Sequence, residues 1–208
     1  MQKNHTFYFI SYPLGAGGAH LANVISLEPT FSPKNSHLSK EEFLNYLNFF
    51  YSSENNNQHI DNHKIVSDKS SWKEELPSII DKFSNSVHLG HAASFHWVNM
   101  KIFKNKKYIC LTFNTEESLK LLRDREFKIF KTDTLKNRYY LEELRFFYSS
   151  VTHDINIQEK NVLKIEISEL CVPDIKNVLI KINEKFNLSI PYDLGQKYHW
   201  YWYNKNFQ

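Results

Sequence analysis

Glycine is scarce in this 208-residue chain. There are five, and three of them, Gly15, Gly17 and Gly18, fall within four positions. A chain that avoids glycine elsewhere and concentrates it here needs unusual backbone angles or a close approach at that point. Cysteine is scarcer still. Cys110 and Cys171 are the only two, far apart and inside apolar stretches, which gives no disulfide framework or zinc signature and fits a reducing compartment. No apolar run approaches the ~20 residues of a membrane helix, and Met1-Gln2-Lys3-Asn4-His5 runs straight into a strand-like segment with no leader pattern. The net charge of +3 is too small to imply nucleic acid. Hydrophobic residues, by contrast, make up 41% and aromatics 15%, too rich for a disordered chain. These features predict one soluble, cytoplasmic domain over residues 1–208, with neither membrane nor nucleic acid as a partner.

Strand and helix patterns alternate along the chain. Phe7-Tyr8-Phe9-Ile10-Ser11-Tyr12 reads as a buried strand, Pro13 to Gly18 as a turn, and residues 19–27 as a helix with Leu21, Val24, Ile25 and Leu27 on one face. Ser39-Lys40-Glu41-Glu42 resembles an N-cap with an acidic first turn, opening a helix to about Tyr51. A polar loop covers 53–63, the expected mobile segment, and a helix carrying Pro77 covers 72–83. Ser86 to Gly90 and Tyr108 to Phe113 read as the second and third strands. A helix follows from Asn114 to Arg125, then a short strand at Phe127-Lys128-Ile129-Phe130, an aromatic helix over 135–151, a strand over 162–167 and an amphipathic helix over 174–186. The alternation predicts an α/β fold, a mainly parallel central sheet flanked by helices.

Several groups of residues carry candidate chemistry. A glycine turn between a strand and a helix suits an anion, because amide N–H groups and the positive helix end converge there. It matches neither a Walker loop, since Ala19-His20 follow the last glycine, nor the dinucleotide spacing; a turn with no ligand is the competing explanation. His91, at the C-terminal end of the second strand, is the leading acid/base candidate, against a purely structural histidine. His20, in the first helical turn, either faces an anion or packs on the sheet. No metal is expected. His88 and His91 point to opposite faces of an extended strand, and His59 and His63 lie in a loop. Among the cations, Lys101, Lys104, Lys106 and Lys107 read as solvated charge at a strand start. Arg123 and Arg125 are better candidates for distant anion contacts, with surface charge as the default. The tail 196–208 packs five aromatics between Tyr198 and Tyr203. It is expected to dock back and close the core, with a protein-partner interface as its second role.

The run Tyr12-Pro13-Leu14-Gly15-Ala16-Gly17-Gly18-Ala19-His20-Leu21 resembles the 5′-phosphosulfate loop of the sulfotransferase superfamily. Val87-His88-Leu89-Gly90-His91 is similar to a strand that ends in Gly-His or Thr-His in that family, and Leu163 to Leu188 and the His199-Trp200…Asn204 ending are similar to its C-terminal pattern. The resemblance implies a P-loop-like fold and sulfonate transfer from 3′-phosphoadenylyl sulfate, or a related adenine nucleotide, to a hydroxyl of a small molecule or glycan. It implies donor contacts from Leu14, Gly15, Ala16, Gly17, Gly18, Ala19 and Ser118, with His91 as general base and His20 assisting. The chain departs from that pattern in three places. Position 14 is leucine where the family loop carries lysine. Gly17, Gly18 and Ala19 stand where it carries Ser or Thr. No arginine ends the strand at Thr112-Phe113-Asn114-Thr115. Two other functions stay open: a catalytically silent binding or structural module of the same fold, and a small kinase-like nucleotide enzyme.

Overall fold

A computed structural model describes residues 4–13, 15–33, 38–52, 77, 79–91, 103–130 and 159–208. Its centre is a four-stranded sheet in the order β2-β1-β3-β4, formed by β1 (Thr6–Tyr12), β2 (Asn85–His91), β3 (Asn105–Thr112) and β4 (Val162–Glu166). Every pairing is parallel, so the α/β expectation with a parallel sheet is met. The chain starts in β1, steps to one side for β2, then crosses to the other side for β3 and β4. Such a reversal marks the point where parallel sheets bind ligands, beyond the carboxyl ends of the strands.

Alternation along β1 explains its continuous apolar sequence. Tyr8, Ile10 and Tyr12 join the main core with Ile109 and Leu111 of β3, while Phe7, Phe9 and Tyr108 are buried on the opposite face with Phe103. A strand buried on both faces needs no polar side. The main core is closed by α1 (Gly18–Ile25), α2 (Lys40–Ser52), α3 (Glu116–Phe130), α4 (Ile167–Leu170), α5 (Lys176–Phe186) and α6 (Tyr192–Phe207). The start of α2 is the capping box read from the sequence: the Glu42 N–H donates to Ser39 Oγ at 3.2 Å, and the Ser39 N–H to Glu42 Oε2 at 2.6 Å. Helix α5 buries Val178, Leu179, Ile182 and Phe186 and ends at Asn187 in the left-handed region.

One expectation of secondary structure is corrected. Residues 127–130 are not a strand but the last turn of α3. Nothing between Arg125 and Phe127 breaks a helix, and Lys128 is used there, donating to the Asn206 carbonyl of α6 at 3.0 Å. The aromatic tail, to which no secondary structure was assigned from the sequence, is part of a 16-residue helix. Gly195, Tyr198, His199 and Trp202 form its buried stripe, at spacings of three and four. The predicted loop over 53–63 and helix over 135–151 lie outside the described residues, as does much of the 72–83 helix, of which residues 77 and 79–82 are helical.

Candidate functional site

The turn after β1 has the backbone that its glycines suggest. Gly15 and Gly17 adopt φ of 82° and 83°, and Gly17 is the N-cap of α1. As glycine it offers no side chain to cap the helix. The first helical bond runs from the Leu21 N–H to the Gly17 carbonyl at 3.0 Å, so the N–H groups of Gly18 and Ala19 precede the ladder. The Ala16 N–H is already used, donating to the Pro13 carbonyl at 3.1 Å. Gly15, Gly17 and Ala19 are partly exposed, while Ala16 and Gly18 are buried. Leu14 lies outside the described residues.

Packing independently demands two of these glycines. A Cβ on Gly17 would come within 2.7 Å of Trp202 Cζ2 and 3.4 Å of Arg125 Nη1. A Cβ on Gly18 would fall inside the Tyr12 ring. Each glycine is where an aromatic ring lies against the main chain, so glycine content alone does not identify a ligand site here.

His20 projects from α1 into a closed polar chain. The Val172 carbonyl can only accept, so His199 Nε2 carries the proton shared with it at 2.6 Å. In the neutral pair His199 Nδ1 then accepts from His20 Nε2–H at 3.1 Å, and His20 Nδ1 accepts from the Tyr51 hydroxyl at 2.7 Å. Tyr51 in turn accepts from Asn23 Nδ2 at 3.3 Å. The Trp202 ring stacks on His20 at 4.4 Å and 3°. Burial holds His199 below its ordinary value of 6.5, against the opposing pull of the Val172 carbonyl and the Asp174 charge. The same burial pushes the Tyr51 phenol up. Both ring nitrogens of His20 are therefore bonded inside the protein.

Arg125 lies on the other side of Trp202. It is 6% exposed, with its guanidinium 4.6 Å from the Trp202 ring and 5.2 Å from the Phe207 ring. One donor, Nη2–H, reaches Asn206 Oδ1 at 3.3 Å, while Nε and Nη1 have no hydrogen-bond partner. Among the described residues a further polar neighbour is the Cys171 thiol, which burial pushes up to about 11 and so keeps uncharged near neutral pH. Such cation–π contacts stabilise by about 0.5–2 kcal/mol each, whereas burying an ion costs several. The balance is unfavourable as it stands. The sequence default of surface charge is thus overturned for Arg125, and the signal was present: Ser118, Leu122 and Arg125 recur at i, i+4 and i+7, one face of α3.

The other expected residues are placed as follows. In the register of β1 and β2, Tyr12 is opposite His91, so the backbone of His91 adjoins the start of the glycine turn. Ser118 is buried among its own kind. Its hydroxyl accepts from Thr115 Oγ1 at 2.9 Å and from the Ser168 N–H at 3.1 Å, and donates to Ser168 Oγ at 3.1 Å. Lys106 and Lys107 sit at the N-terminal end of β3, opposite the edge that carries the turn. Among the described residues no three His, Cys, Asp or Glu side chains converge as a metal set. No helix among them is long and apolar enough to cross a membrane. His199 and Trp202 were missed as partners of the turn and of His20 because α6 was not recognised as a helix, and Tyr51 was missed although its helix, α2, was read to about that residue. Comparison of the chain with protein-family models gives no match, and comparison with curated proteins gives none either.

Proposed function

We propose that the protein binds the phosphate or sulfate end of a small molecule at the glycine turn and acts there as a sulfotransferase-like transferase. The observation that carries this reading is an uncapped helix start at the carboxyl end of the central strand, where the strand order reverses. Amides ahead of the helical ladder and the positive end of the dipole both favour an anion at that place. In this reading the Gly17, Gly18 and Ala19 amides hold the 5′-phosphosulfate of an adenylyl-sulfate donor. His91, at the adjacent strand end, takes the proton of the acceptor hydroxyl. The Ser118 hydroxyl is committed to its own cluster, so the 3′-phosphate contributes little to donor affinity. His20 positions α1 rather than touching the donor.

One observation favours the alternative of a catalytically silent module: Gly17 and Gly18 are both required by Trp202 and Tyr12. Ligand binding separates the two. Thermal-shift and calorimetric titrations would use inorganic sulfate, adenosine 3′,5′-bisphosphate, its 5′-sulfonated form and ATP. An acidic residue at Gly17 would disturb Trp202, so the informative variant is Ala19→Asp, in the first turn and partly exposed. A carboxylate there complements the dipole and should preserve or raise the stability of the unliganded protein by about 0.3–1 kcal/mol. It should abolish stabilisation by every anion. Absence of any wild-type response at millimolar concentrations leaves the turn architectural.

A further inference from the structure

An arginine removed from water has five N–H donors to satisfy and a charge to balance. Arg125 satisfies few of them. Its Nε and Nη1 donors have no partner, no carboxylate among the described residues lies against it, and its side-chain acceptors, Asn206 Oδ1 and the Cys171 thiol, are uncharged. The aromatic faces of Trp202 and Phe207 take up some of its field and the uncharged Cys171 thiol is a weak acceptor, which leaves Nε and Nη1 unmatched. A folded chain tolerates a buried cation in this state when something outside the chain completes it. The position says where that partner belongs. Nη1 is 3.4 Å from the point where a Gly17 Cβ would stand, beside the uncapped start of α1.

We infer that Arg125 is an anion ligand of the glycine turn, supplying from α3 the positive charge that position 14 lacks, and that the ligand group it takes is a tetrahedral oxyanion, a phosphate or sulfate. The inference rests on the reading of the turn as an anion site and adds the residue that makes that site cationic. Two chemically different donors then meet on one group: backbone amides, which recognise shape at short range, and a guanidinium, which balances charge and has open N–H groups. Trp202 keeps the two in place. Its ring lies against Gly17 on one side, stacks on His20 and carries the guanidinium. The C-terminal helix is thus part of the anion site through what it holds, without contributing a charged group to it.

The test uses the full chain, with inorganic sulfate and adenosine 3′,5′-bisphosphate as probes. Arg125→Met replaces the cation by an apolar chain of similar reach. It should weaken both probes more than tenfold while the melting temperature without ligand holds or rises, since an uncompensated buried charge has been removed. Arg125→Met binding both probes within twofold of wild type would overturn the inference and leave the turn standing as an anion site. Wild-type protein that binds neither probe would overturn both. A second measurement does not depend on the variant folding. In wild-type protein, sulfate should move the Arg125 Nε–H resonance along the same saturation curve as the Gly18 and Ala19 amides. Movement of those amides with a stationary Arg125 Nε–H would again remove Arg125 and keep the turn.

Discussion

Two polar clusters sit at the carboxyl edge of the same sheet, and they differ in whether their donors are matched. At the ends of β3 and β4, Glu166 accepts from Thr112 Oγ1 at 2.7 Å, from the Asn114 N–H at 3.1 Å and from Asn114 Nδ2 at 3.0 Å. Its own N–H donates to Glu169 Oε1 at 3.2 Å, and Ser118, Thr115 and Ser168 close a second set of bonds beside it. At the end of β1, by contrast, Arg125 Nε and Nη1 and Asn23 Oδ1 are buried without partners. A saturated cluster joins elements and asks for nothing more. An unsaturated one keeps capacity for a ligand. Of the residues singled out in the sequence, Ser118 belongs to the first kind, and the glycine turn to the second.

The largest expected effect lies in the cover of the unsaturated cluster. Trp202 is nearly fully buried, against Gly17, His20 and Arg125. Trp202→Ala should cost about 3–5 kcal/mol, read by urea unfolding. Gly17→Ala should also be costly in wild type, because the new Cβ meets the indole at 2.7 Å and the backbone φ is 83°. In the Trp202→Ala background only the backbone cost remains, roughly 1–2 kcal/mol. A double-mutant cycle that shows no coupling between the two positions would mean that the ring does not press on the turn.

Next in size is the saturated cluster. Burial alone would raise the Glu166 carboxyl, but hydrogen bonds from Thr112 and Asn114 hold it below its ordinary value of 4.5. Glu166→Ala removes the acceptor of both residues and should cost about 2 kcal/mol, while sulfate affinity stays within twofold of wild type. A large loss of sulfate binding in this variant would erase the distinction between the two clusters. The sign for pH follows from the depressed value: the Glu166 contribution is present above pH 4.5 and is lost as pH falls through the lower folded value.

The contrast also explains what could be read from the chain beforehand. The strands were legible because a parallel sheet buried on both faces writes itself as unbroken apolar runs, such as Phe7 to Ile10 and Tyr108 to Leu111. The glycine turn was legible as a place, but the rings that press on it come from Tyr12 and Trp202, the latter 185 positions away from Gly17 in sequence. Helix α6 was obscured because aromatics occupy its exposed positions too: Trp200 and Tyr201 are 44% and 42% exposed beside buried Tyr198 and Trp202. Its stripe at 195, 198, 199 and 202 was present but masked by that composition. Burial of Arg125 needed α6 as well, since Trp202 and Phe207 cover it.

The smallest effect concerns the histidine chain that anchors α1 to α6. His199 must donate from Nε2 to Val172 and accept at Nδ1 from His20, which is the pattern of a neutral imidazole. A proton added at Nδ1 would face the His20 Nε2–H, so the His20 tautomer must change and the Tyr51 hydroxyl must find another acceptor. Burial already disfavours the charge, and the folded value lies below 6.5. The folded state therefore binds fewer protons than the unfolded one in the window below that value, and stability falls as the solution is acidified through it. His5, bonded to Phe83 and Ser86 and likewise lowered by burial, contributes in the same direction. Unfolding free energy should thus be flat near pH 7–8 and decline below about 6.5, by at most about 1.4 kcal/mol per pH unit for each histidine. His199→Gln should flatten part of that decline and leave the His5 share. A wild-type curve with no slope between pH 6.5 and 5 would show that the chain accepts a proton without strain, and the anchor would then be indifferent to the tautomer of His20.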